Sequence, residues 1–168
     1  MTNIVIKAES AKIVITGVNF RNYAVRYHEA AKQYVAARKK TEGFDPIPYQ
    51  LFCQSLELHL KSYIWIIEQY GRNKFINKYG HDIVKLWYHS KSRGIQKYVS
   101  ITPLRDSVID LVGPYYKQRK FCYLDIDMIF NGYKELKTEP KVLQTLSRLT
   151  SQLGKSIRRP LNDASQPT

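Results

Sequence analysis

Residues 46–70, PIPYQLFCQSLELHLKSYIWIIEQY, decide how the rest of this chain folds. Phe52, Leu56, Leu60, Tyr63, Ile67 and Tyr70 follow one another by three or four residues, the spacing that keeps one face of an α-helix apolar. Leu51, Leu58 and Trp65, with Cys53 and Ile64, widen that face until only a narrow strip is left. A helix so apolar belongs inside a bundle, touched on several sides. The polar remainder is ordered too. Gln50, Gln54, Glu57, Lys61 and Glu68 fall on one line, so amides, carboxylates and an ammonium share a strip. That strip is the first candidate for chemistry. The plain alternative is a solvated stripe in which Glu57 and Lys61 form an ordinary i,i+4 pair, contributing about 0.2–0.5 kcal/mol.

Working outward, two Pro-bounded or charged segments frame this helix. Upstream, Phe20, Tyr23, Ala24, Tyr27, Ala31, Tyr34 and Val35 predict a helix from Val18 to Arg38, ending in a basic run suited to the negative end of the dipole. Downstream, Ile83, Leu86 and Trp87 predict a short amphipathic helix ending near Arg93-Gly94. Thr102-Pro103 reads as an N-cap and first turn, opening a fourth helix through Leu104, Val108, Leu111, Val112 and Tyr115, broken or bent at Gly113-Pro114. A last helix after Thr138 carries Val142, Leu143, Leu146, Leu149 and Leu153.

The expected fold is therefore all-α, an up-and-down bundle of four to five helices over residues 18–153. Residues 1–17 form an N-terminal segment whose Ile4-Val5-Ile6 and Ile13-Val14-Ile15 clusters allow a short β element. Phe121–Leu124 reads as an extended piece that allows another. Residues 154–168 read as a disordered tail, basic and then polar.

With 168 residues the chain is long enough to bury about two-thirds of its unfolded surface. Its 27 Lys and Arg against 14 Asp and Glu give a formal charge of +13. Such an excess repels itself unless a polyanion or an acidic partner offsets it, which points to nucleic acid. Thirteen Tyr and two Trp supply faces on which unpaired bases can stack. The two Cys stand apart, with no metal-ligand spacing, and read as reduced thiols of a cytoplasmic protein. No apolar stretch is long enough for a membrane span, and no metal or cofactor is expected.

Gln54-Ser55-Leu56-Glu57-Leu58-x-Leu60-Lys61 on a Pro-started helix, followed by a second helix opening Gly80-His81-Asp82-Ile83-x-x-Leu86, resembles the HEPN domains. These are all-helical modules known as nucleotide- or RNA-binding units and RNases, often of prokaryotic toxin–antitoxin and phage-defence systems. The resemblance covers about Phe20 to Leu153 and implies RNA or a nucleotide as ligand and a homodimer as the working form. HEPN RNases are metal-independent and carry an Arg and a His separated by four to six intervening residues, the Arg often having a polar neighbour. Around His81 that spacing fails, because Arg72 lies too far upstream.

Arg21-Asn22 and His28 do fit it, two helical turns apart on the first helix, and form the candidate catalytic pair. A His titrating near neutrality can move a ribose proton, and a guanidinium can stabilise charge on a phosphate. The motif is expected in later helices of the family, so a solvated or bundle-edge His28 is the competing reading. The second candidate is a polar pocket in which Gln54, Glu57, Lys61, His81 and Asp82 converge at a helix N-terminus and receive a nucleotide phosphate, provided Glu57 does not neutralise Lys61. Asp82 and His81 also suit a purely architectural role as helix cap and cross-link. The competing function is a regulatory or interaction module whose charge meets an acidic protein.

Overall fold

A computed structural model describes residues 17–38, 44–68, 78–123, 132–133, 136 and 141–157. These form an all-α bundle with five helices of ten residues or more: α1 (Gly17–Ala37), α2 (Ile47–Glu68), α3 (Ile83–Ser92), α4 (Pro103–Lys117) and α5 (Val142–Ser156). A 3-10 turn, Ile95–Lys97, links α3 to α4. No strand occurs among the described residues. Phe121, Cys122 and Tyr123 form a turn and bend rather than an extended piece, while Leu124 and the β-branched clusters near the N-terminus lie outside the described residues.

The helix read first in the sequence packs on the other four. Phe52, Cys53, Leu56, Leu60, Tyr63 and Ile64 of α2 are all buried. Its closest partner is α1, and small residues explain why. Gly17, Ala24 and Ala31, seven apart, are buried against α2 and let the backbones approach. Ser62 Oγ donates to the Gly17 carbonyl at 2.7 Å and Ser55 Oγ to the Ala24 carbonyl at 2.8 Å. Those pairings run in opposite senses along the two helices, so α1 and α2 are antiparallel.

Capping follows the sequence. Asp82 accepts from Lys85 N at 2.9 Å to open α3, and Thr102 Oγ1 accepts from Arg105 N at 3.3 Å to open α4 with Pro103 in its first turn. Helix α4 runs through Gly113-Pro114 to Lys117 as one element, so of the break or bend expected there the break does not occur. Gly113 is where α4 lies against α3: a Cβ there would fall 2.3 Å from Val84 Cγ2. Trp87 Nε1 and Lys91 Nζ of α3 both donate to the Asp106 carboxylate of α4, at 2.7 and 2.8 Å. On α5, Val142, Leu146, Leu149 and Leu153 are buried and Leu143 half-buried. The helix continues past Gly154 to Ser156, and Ile157 is fully buried, so the ordered bundle reaches beyond residue 153; residues 158–168 lie outside the described set.

Candidate functional site

The polar strip of α2 faces the bundle. Glu57 is 1 % exposed, and its carboxylate collects three neighbours. Lys61 Nζ donates to Oε1 at 2.5 Å, Tyr116 of α4 donates to Oε2 at 2.5 Å, and His81 Nδ1 lies 3.1 Å from Oε2. An ionised carboxylate only accepts, so Nδ1 of His81 carries a proton. The Tyr116 hydroxyl also lies 2.6 Å from the Gln54 amide oxygen. One phenol has one proton; turning the Gln54 amide by half a revolution gives an unbroken series from amide to phenol to carboxylate. Burial and then Glu57 push the Tyr116 phenol well above its ordinary pKa, so it stays a donor.

Gln54, Glu57, Lys61 and His81 are thus brought together, but the positive charge a phosphate would need is already used. Lys61 is neutralised by Glu57. Asp82 sits next in the chain and is occupied as well: it caps α3 and pairs with Lys117 Nζ at 2.7 Å. Burial raises its carboxyl, yet Lys117 and the Lys85 N–H outweigh that and hold it below the usual carboxylate range. A buried carboxylate with its counter-ion and donors all supplied by the protein is a lock between α2, α3 and α4. Further along the strip, Glu68 Oε1 takes His89 Nε2 and Arg93 Nε, each at 2.7 Å.

Arg21 and His28 both address α5. Arg21 Nη2 donates to the Gly154 carbonyl at 2.9 Å. His28, 6 % exposed, places Nδ1 2.8 Å from Thr150 Oγ1. The Thr150 hydroxyl gives its single proton to the Leu146 carbonyl at 2.8 Å, so it accepts from His28, fixing the Nδ1–H tautomer and leaving Nε2 bare. Nε2 lies 4.0 Å from Glu29 Oε1. Burial lowers the His28 pKa; Glu29 opposes this, and Lys32 and Lys155 add to it. His28 is therefore a neutral imidazole.

That imidazole lines a groove of about 350 Å³ between α1 and α5, with Lys32, Ser147, Arg148, Ser151, Gln152 and Lys155. Arg21 is not part of the lining. Three cations, two hydroxyls and an amide face the groove and no carboxylate does, although Glu29 lies 3.8 Å from Lys32. The sequence reading passed over this surface, even though Gln144, Arg148, Ser151 and Lys155 recur at helical spacing opposite the apolar face of α5. Tyr116 was passed over too: a tyrosine on a helix face carries no mark of the carboxylate it will meet. His59, unmatched to any partner in the sequence, is fully buried, and both its ring nitrogens lack a hydrogen bond among the described residues. No group of three or more His, Cys, Asp or Glu among the described residues could hold a metal ion.

No protein-family model, no curated protein and no solved structure matches the chain. The HEPN likeness therefore rests on residues 54–61 and 80–86 and their placement on α2 and at the start of α3. Among the described residues no helix is long and apolar enough to cross a membrane.

Proposed function

We propose that the chain is a HEPN-like RNA- or nucleotide-binding protein that holds phosphates in the groove between α1 and α5. The carrying observation is the lining of that groove: Lys32, Arg148 and Lys155 offer charge, and Ser147, Ser151 and Gln152 offer neutral hydrogen bonds, with no acid among them. An overall charge of +13 favours encounter with a polyanion from any direction. The Glu57 network holds the helices in place, and the phosphate contacts come from elsewhere. Homodimer formation, a cytoplasmic setting and a place in a toxin–antitoxin or phage-defence system belong to the same proposal, carried by the resemblance and the two free thiols. If the protein cleaves RNA, bare Nε2 of His28 on the groove wall is the base, and replacing His28 abolishes cleavage without unfolding the bundle.

Single-stranded RNA binding measured across a salt series tests this. For single strands the slope of log K against log salt is about −0.7 per phosphate neutralised. Changing Lys32, Arg148 and Lys155 together to Gln should flatten the slope by roughly 2 and weaken binding of every sequence alike. An unchanged slope would remove the groove from the account.

A second reading, an interaction module, draws on Val18, Tyr23, Tyr27, Ile47 and Ile67, large apolar side chains between 36 and 56 % exposed. Absence of RNA affinity at low salt would favour it.

A further inference from the structure

A second groove, of about 410 Å³, runs along the last turns of α4 and is lined by Asp110, Leu111, Pro114, Tyr115, Gln118 and Lys120. Helix periodicity puts the first five on one face, and the helix terminus brings in the sixth. Arg119 has φ of 58°, its N–H reaches the Tyr116 carbonyl, and the Lys120 N–H reaches the Tyr115 carbonyl, both at 2.9 Å. This is a Schellman closure, and it folds Lys120 back over the Tyr115 ring, 5.8 Å from the centroid.

Tyr115 is the groove-side member of a group of near-parallel rings. Its ring is tilted by 20° from Phe121 and by 30° from Tyr133, at 5.8 and 5.7 Å between centroids. Phe44 stacks on Tyr133 at 4.2 Å. Tyr115, Leu111 and Pro114 give the groove an apolar floor, the kind of surface that suits a planar ring.

The polar groups around that floor keep spare hydrogen-bonding capacity, in contrast to their neighbours on the same helix. Asp106, Tyr116 and Lys117 are each tied to α2 or to the α3 region. Asp110 is held by one bond, from Tyr88 Oη to Oδ2 at 2.8 Å; Oδ1 accepts nothing among the described residues. Pro114 has no N–H, so the Asp110 carbonyl also lacks its i+4 donor. The Gln118 amide and the Lys120 ammonium make no side-chain hydrogen bond among the described residues. A carboxylate with one oxygen unbonded among the described residues, a two-way amide and a cation thus line the same groove as the Tyr115 ring.

We infer that this groove is a base-recognition site selective for guanine. Of the common bases, guanine presents two adjacent donors, N1–H and the 2-amino group, to a carboxylate; adenine and cytosine place a ring acceptor beside their amino group, which a carboxylate repels. In this assignment Gln118, on the same groove wall, donates to O6, and Lys120 meets a phosphate. Tyr88 is a positioning residue that holds the carboxylate. The inference rests on the nucleotide-binding reading for the ligand class, but uses a different surface of the bundle.

The test is equilibrium binding of guanosine, inosine and adenosine to the full chain by calorimetry. Guanosine should bind about tenfold more tightly than inosine, which lacks the 2-amino donor, and adenosine more weakly still. Asp110→Asn should erase the guanosine–inosine difference; Asp110 is exposed, so this variant folds. Tyr88→Phe should weaken guanosine while keeping the order of the three. Equal affinities for guanosine and adenosine, or an undiminished guanosine preference in Asp110→Asn, would overturn the assignment. Nucleosides carry no phosphate, so failure of the α1–α5 groove in the salt series leaves this measurement unaffected.

Discussion

Tyr116 of α4 donates its phenol proton to Oε2 of Glu57 on α2 across 2.5 Å, in a part of the bundle where both side chains are almost wholly enclosed. The contact closes a carboxylate whose other oxygen is held by Lys61, and it explains how a charge can sit at 1 % exposure in so apolar a helix. Burying an ion pair contributes little on balance, but removing one partner strands the other.

Two substitutions separate those effects. Tyr116→Phe removes a donor and keeps the ring, and should cost about 1–3 kcal/mol in urea unfolding. Lys61→Met strands the Glu57 charge and should cost more, about 3–5 kcal/mol. The pair Glu57→Gln with Lys61→Met should recover much of that loss. Equal, small costs for all three would show that the carboxylate is not enclosed.

Gly113 lets α4 lie against α3. A methyl there falls 2.3 Å from Val84 Cγ2, and Val is stiff about χ1. Gly113→Ala gains helix propensity yet should destabilise by about 1–3 kcal/mol through overpacking. Adding Val84→Ala should restore most of the loss, so the two changes are strongly non-additive in a denaturant series. Additive costs would place the clash elsewhere.

The bundle was legible because its apolar residues repeat at helical spacing and its caps are written in Asp82 and Thr102-Pro103. Contacts that depend on a second helix were not. Glu57 and Lys61 could be placed on one strip, but whether the strip met water or Tyr116 depended on a residue 59 positions away that reads as an ordinary amphipath. Arg21 and His28 were found by spacing, and their partners, Gly154 O and Thr150 Oγ1, come from a helix more than a hundred positions on. A break at Gly113-Pro114 was the natural reading of proline chemistry. Packing against α3 instead uses the glycine and carries the helix through.

Arg119 holds a left-handed backbone, φ 58°, at the position after α4 where glycine is favoured. Arg119→Gly should relieve that strain and stabilise the fold by up to about 1 kcal/mol, less the backbone freedom that glycine adds to the unfolded chain. Arg119→Val should destabilise, since a β-branched residue tolerates this region least. Thermal unfolding of the two variants should therefore move the midpoint in opposite directions.

His59 is the buried group whose titration should show most clearly in stability. Burial, then Arg21 and His28, lower its pKa to about 3, against 6.5 for an exposed imidazole. Between those values the unfolded chain has taken up a proton that the folded chain refuses, so the unfolded state binds more protons and stability falls as pH drops through this window. His28, also lowered, acts in the same direction. His59→Leu keeps a similar volume and leaves no ring nitrogen without a partner. It should raise stability at pH 7 by about 1–2 kcal/mol. It should also lower the slope of unfolding free energy against pH between 4.5 and 6 by up to about 1.4 kcal/mol per unit. An acid limb of the same steepness in His59→Leu would mean that the folded chain protonates His59 as readily as the unfolded one, through a partner the enclosed ring does not show.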